Sequence, residues 1–153
     1  METMTQEDKE LLLKDLCARL PYKPIVHIDD CGIWDLRGID HDDSAELRGR
    51  VIVWHGENYP SSKNSFPIIK CKPYLFPLSS MTEEQKKELR QMNAFVNAFG
   101  QICFFTYDDY GHELMPTFED VIRITNWLNK NHFDYRGLIE KGLALDATGL
   151  NIY

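Results

Sequence analysis

`PIVHIDDCGIWDLRGI`, residues 24–39, sets the class of fold. Strand formers lie on both sides of a short polar break, and Cys31 followed by Gly32 is suited to turn one run back on the other. Two further runs, `RGRVIVWHG` and `FPIIKC`, follow within residues 24–70, separated by the longer polar stretch `GENYPSSKNS`. An antiparallel meander is the economical arrangement for such runs.

Helical patterns flank this β-type region. Leu11, Leu12, Asp15, Leu16 and Leu20 fall near one face when residues 6–20 are wound at 3.6 per turn, and Pro21 closes the segment. After Pro73 and Pro77, Ser80 with Glu83 and Thr82 with Gln85 both have capping-box spacing, so the helix start has two candidates. The stripe Leu89, Met92, Val96 and Phe99 predicts that this helix runs to Gly100 with those four side chains in the core. `QICFFTYDD` reads as a short strand and `DDYG` as a turn. Thr117 with Asp120 starts a helix whose expected buried face is Phe118, Val121, Ile122, Thr125 and Leu128, and Asp134 is placed to cap a last short helix, `YRGLIEKGL`. The expected fold is α+β: a small antiparallel sheet of about four or five strands packed with three or four helices, in a single globular domain over residues 1–153.

Composition narrows the functions available. The chain of 153 residues is 43% hydrophobic and carries a net charge of -7, which argues against general nucleic-acid or anionic-membrane binding, since both surfaces repel an acidic protein. Lys86, Lys87 and Arg90 alternate with Glu83, Glu84 and Glu88 as on a solvated helix face. The apolar run near the start is three leucines long, too short for a signal or membrane segment, so a cytoplasmic protein is expected. Cys17, Cys31, Cys71 and Cys103 form no CxxC pair and are expected as reduced, mostly buried thiols.

Charge is concentrated in residues 27–46. Asp29, Asp30, Asp35, Asp40, Asp42, Asp43 and Glu46 stand there against Arg37 alone, so this window carries -6 and the rest of the chain -1. Such a window either solubilises exposed strand edges or steers a basic protein partner. Residues Asp35, Asp40, Asp42, Asp43 and Glu46 are therefore one candidate contact surface, with Tyr135 and Arg136 of `NHFDYRGL` as a second, because tyrosine and arginine anchor interfaces well. Their other reading is docking of the C-terminal segment onto the core.

Chemistry has weaker support. His27 and Asp29 alternate on a strand, and Asp40, His41 and Asp42 adjoin one another, which is a legitimate ligand set for zinc, manganese or iron. The calcium-loop spacing fails at Ala45 and Val51, and `HELMP` has proline where a zinc-protease helix needs its second histidine. There is no GxSxG, GxGxxG or GxxxxGK[ST] motif. No cofactor and no stoichiometric metal are expected.

`LLLKDLCARLPY`, `KPYLFPLSSMTEEQKKEL` and `WLNKNHFDYRGLIEKGLALDATGLNIY`, together 57 residues, resemble segments of an uncharacterised family of short proteins encoded by gut Bacteroidetes and their phages or integrated elements. The resemblance implies a cytoplasmic, phage-related setting and brings no catalytic residues with it. A non-enzymatic regulatory or accessory protein acting through an acidic face is the leading expectation, and a metal-dependent hydrolase of nucleic acid or a phosphoester is the alternative.

Overall fold

A computed structural model describes residues 4–40, 50–54 and 64–153 of the chain. These residues divide into two compact units, one of Met1–Leu75 with Arg136–Tyr153 and one of Phe76–Tyr135.

The first unit opens with helix α1, Gln6–Arg19, whose Thr5 cap accepts the amide of Asp8 while the Asp8 carboxylate accepts that of Thr5. This reciprocal arrangement satisfies two donors that a helix start otherwise leaves open. The chain then enters β1 (Ile25–Ile28), turns through residues 29–31 and returns as β2 (Gly32–Asp40). Asp30 and Gly32 both take positive φ in this tight reversal, and the Cys31 amide donates to the Ile28 carbonyl at 2.9 Å. Strands β3 (Arg50–Trp54), β4 (Asn64–Pro67) and β5 (Cys71–Pro77) follow. Their order is β4-β3-β2-β1-β5, all antiparallel, and the short β9 (Leu145–Asp146) runs parallel to β5.

Alternation does the work of the core here. Val26, Ile28, Trp34, Leu36, Val51 and Val53 are buried and cluster with Leu12 and Leu16 of α1. Each fully buried side chain of this size is worth roughly 1.5–3 kcal/mol relative to exposure, so this face contributes strongly to holding α1 on the sheet. A bulge between Leu36 and Gly38 shifts the register of β2 against β3 by one residue.

In the second unit, helix α2 covers Glu83–Gln91 and is capped by Thr82, not Ser80. The Thr82 hydroxyl accepts the Gln85 amide at 3.2 Å, whereas the Ser80 hydroxyl donates to the Pro77 carbonyl at 2.7 Å. The expected helix to Gly100 stops here: Asn93 takes a φ of 62°, and β6 (Ala94–Val96) and β7 (Ile102–Phe104) form a hairpin. Phe99, expected in the core, sits at the hairpin tip and is 88% exposed. The Asn97 side chain organises that tip by accepting the amides of Phe99 and Gln101.

Helix α3, Phe118–Lys130, begins at Thr117 with the expected capping box to Asp120. Its buried residues are Ile124, Leu128 and Asn129, which leaves Phe118, Val121 and Ile122 of the expected core face exposed. Beyond it, Phe133 and Asp134 form β8, paired in parallel with Phe76 and Pro77 at the end of β5. Asp134 therefore caps no helix. Within the first unit, residues 138–142 form turns that follow Gly137 and end at Gly142, both at positive φ, in place of the expected final helix. The class is α+β as expected, with three helices and a sheet that is larger than anticipated and mixed in direction among the described residues.

Candidate functional site

Residues 105–122 of the second unit carry the site. Tyr107 and Glu113 face each other in a single antiparallel bridge, and the Leu114 amide donates to the Thr106 carbonyl at 2.7 Å. Asp108 ties the intervening loop together: one carboxylate oxygen accepts the amides of Tyr110 and His112, and the other lies 3.0 Å from His112 Nδ1. The hydrogen bond from the His112 amide is the main reason the Asp108 carboxyl is held below its ordinary range, with Tyr110 adding to it. The loop is thus pinned by its own polar atoms while Tyr107 and Tyr110 project outward.

Met115 and Pro116 then lead into the Thr117 cap. Hydrogen bonds from the Thr117 amide and hydroxyl hold the Asp120 carboxyl low, and Arg123, 3.1 Å away, lowers it further. The first turns of α3 present Phe118, Val121 and Ile122, spaced i, i+3, i+4 and therefore on one face. Of the large exposed hydrophobic side chains, Tyr107, Tyr110, Met115, Phe118, Val121 and Ile122 come from this stretch, and Phe99 from the hairpin tip before it. Phe118 is 81% exposed and Tyr110 87%.

The same segment is acidic. Asp108, Asp109, Glu113, Glu119 and Asp120 lie in residues 105–122, which contain no lysine or arginine. A cleft of about 350 Å³ opens beside it, lined by Arg90 in the last turn of α2, by Asn93 just after that helix, and by Phe105, Tyr107, Asp108, Asp109 and Leu114. Charges of both signs meet in this cleft, and one of its carboxylates is already engaged in holding the loop.

The residues singled out from the sequence are placed differently. His27 is half-buried on β1 with Nδ1 3.5 Å from the Tyr74 hydroxyl, and Asp29 lies in the turn after β1, where its amide donates to the Lys70 carbonyl. Among the described residues no group of three or more histidine, cysteine, aspartate or glutamate side chains could hold a metal. Asp35 lies 3.9 Å from Arg37, each about one-third exposed. His41, Asp42, Asp43, Glu46 and the side chain of Asp40 lie outside the described residues.

Tyr135 and Arg136 are both engaged in packing. The Tyr135 hydroxyl donates to Asn129 Oδ1 at 2.9 Å beside the core of the second unit. In the first unit, Arg136 reaches Asp15 Oδ1 at 3.0 Å, while Arg19 Nε lies 2.8 Å from Asp15 Oδ2. Asp15 and Arg19 are fully buried, so Arg136 helps to neutralise a carboxylate taken out of water. Nearby, the Tyr153 hydroxyl donates to the Tyr74 carbonyl and accepts the Ile25 amide, and burial pushes its pKa up to about 12.

All four cysteines are free thiols, but only Cys71 is buried, and burial pushes its pKa well up. Cys17 and Cys31 are exposed, against the expectation of mostly buried thiols. No helix of the described residues is long and apolar enough to cross a membrane.

The exposed α3 face escaped sequence reasoning, although a signal was present. Phe118, Val121, Ile122, Ile124, Trp127 and Leu128 span about 220° of the helix circumference at 100° per residue. That is wider than one packed face, so part of the apolar surface was bound to remain uncovered. No protein-family model, curated protein or solved structure matches the chain.

Proposed function

We propose that this chain is a non-enzymatic regulatory or accessory protein of a phage or mobile element, acting in the cytoplasm through contacts with a basic protein partner. The observation that carries this reading is the concentration of exposed large apolar side chains in residues 99–122. A solvated fold gains by hiding such groups, and large apolar side chains left in water along one stretch of chain point to a surface that another molecule covers. Tyrosine, phenylalanine and methionine are also the types that interface cores favour over ordinary surface.

Electrostatics supports a basic partner in particular. The net charge is -7, with carboxylates gathered in residues 27–46 and again in residues 105–122. Like-charged surfaces are repelled and basic ones are steered in, an effect that chiefly raises the association rate. The phage or mobile-element setting rests on the sequence resemblance of residues 11–22, 72–89 and 127–153.

Purification of the tagged chain from its native cell at low salt, with turnover assays on the same preparation, tests this reading. A protein partner recovered in near-stoichiometric amount and released by added salt is the expected result. Recovery of the bare chain, or hydrolysis of oligonucleotides or bis(p-nitrophenyl) phosphate with magnesium, manganese or zinc, contradicts it.

A further inference from the structure

We propose that the face of α3 formed by Phe118, Val121 and Ile122, with the adjoining Tyr107 and Tyr110 loop, docks an amphipathic basic helix of a partner protein. The inference rests on the protein-contact reading above and adds where contact is made and what chemistry the partner brings.

Three features define the occupant. The first is shape: an i, i+3, i+4 apolar row on a helix is a ridge, and ridges pack most readily into the grooves of another helix. The tyrosine loop can share the contact, because Leu114, paired to Thr106 at the base of that loop, is joined to Phe118 by a chain that reaches no more than about 14 Å. The second is charge. Of the five carboxylates of residues 105–122, Asp120 is paired with Arg123 at 3.1 Å and Asp108 holds its own loop, which leaves Asp109, Glu113 and Glu119 to meet basic residues beside a partner's apolar stripe.

The third feature is what the same charge excludes. A second copy laid on this face would set carboxylates against carboxylates, which disfavours self-association. Nucleic acid and anionic lipid meet the same repulsion. Two of the carboxylates, Asp108 and Asp120, are held in their ionised form by backbone hydrogen bonds, so the charge persists into mildly acidic solution.

The test uses the full chain and three fluorescent peptides of about 18 residues: a leucine–lysine amphipathic helix, its leucine–glutamate counterpart, and a lysine–serine peptide of equal charge with no apolar face. Binding is followed by anisotropy for the parent, Phe118→Ser, Ile122→Lys, the milder Ile122→Ser, and Ile33→Lys, which changes an exposed apolar residue of the first unit. Far-UV circular dichroism and melting of each variant establish that it is folded, as expected for changes at exposed positions.

The leucine–lysine peptide should bind best, and each change at 118 or 122 should weaken it, Ile122→Lys by about tenfold or more, with Ile33→Lys indistinguishable from the parent. Equal affinity for the lysine–serine peptide would show attraction by charge alone and overturn the proposal. Loss of binding in Ile33→Lys, or no loss at 118 and 122, overturns it as well. Sedimentation showing a dimer of the parent that Phe118→Ser dissociates overturns it in favour of a second copy. If the face variants bind the peptide like the parent while the native preparation still holds a salt-sensitive partner, only this inference falls. If neither peptide nor native partner binds, the protein-contact reading falls with it.

Discussion

The two units of this chain treat apolar surface in opposite ways. In the first, α1 lies on alternating strand residues, and Leu12, Leu16, Val26, Ile28, Val51 and Val53 are fully shielded. Even charge is taken inside, with Asp15 held between Arg19 and Arg136. The second unit has a compact core of Leu78, Leu89, Ile124, Leu128 and Phe133, yet leaves a row of large apolar side chains in water just before and along the start of α3. A sheet face covered by a helix has a closed boundary, because the pleat sends every second residue inward. A helix with apolar residues over more than half its circumference has none, and the surplus becomes a surface for something else.

This contrast can be broken most severely at Asp15. Asp15→Ala removes the carboxylate that pairs with two arginines, one of them fully buried, and should lower stability by about 3–5 kcal/mol in denaturant unfolding. A loss below about 1 kcal/mol, the size typical of an exposed pair, would mean that water reaches this network.

The second unit is sharpened by two substitutions that its sequence pattern treats as equivalent. Leu128→Ala should cost about 2–5 kcal/mol, as expected for a leucine at 3% exposure. Phe99→Ala, at the open hairpin tip, should stay within about 0.5 kcal/mol. Similar losses for both would return Phe99 to the core and extend α2 beyond Gln91.

A smaller effect is expected at the start of α3. Thr117→Ala should cost about 1 kcal/mol by removing the hydroxyl that accepts the Asp120 amide. Asp120 has a folded pKa below its ordinary value of 3.8, so its contribution is present above that value and lost as pH falls through the lower folded one. A carboxyl titration followed by NMR should place Asp120 below 3.8 in the parent and nearer to it in Thr117→Ala. A midpoint unchanged by the substitution would remove the cap from the explanation.

The smallest effect belongs to residues 27–46. Replacing Asp42 and Asp43 by asparagine should change stability by no more than about 0.5 kcal/mol if these carboxylates are solvated, while slowing association with a basic partner. A clear gain or loss in melting temperature would show that they take part in the fold.

How much of this was legible beforehand depends on the range of the interactions involved. The β1–β2 hairpin, α1 and the start of α3 follow from local rules: alternation, a tight turn before Gly32, and a threonine reaching the amide three residues ahead. For α2 the same rule leaves Ser80 and Thr82 both open, and the fold decides for Thr82. Leu89, Met92, Val96 and Phe99 mimic a helical stripe because one left-handed residue, Asn93, replaces half of it with a hairpin that happens to have compatible spacing. Two-residue strands such as β8 and β9 have no period to detect, since their place is set by pairing with β5 far away in sequence. Gly137 and Gly142 mark the turns that displace the expected last helix, yet a glycine near a helical pattern has several other readings.

The candidate site divides along the same line. Tyr135 and Arg136 are of the types that anchor interfaces, and only the fold shows them bonded to Asn129 and Asp15. For Phe118, Val121 and Ile122 the pattern pointed toward the core, and only packing decides which part of a broad apolar face is covered.

The central claim, that the exposed face of α3 is where this protein meets its partner, is tested most directly by photo-crosslinking in the native cell. A photoreactive amino acid placed at position 122 and, in a second preparation, at position 33 replaces one exposed apolar residue in each unit. The account predicts one dominant adduct with a basic protein from position 122 and none from position 33. No adduct at 122, or the same adducts from both positions, would contradict it.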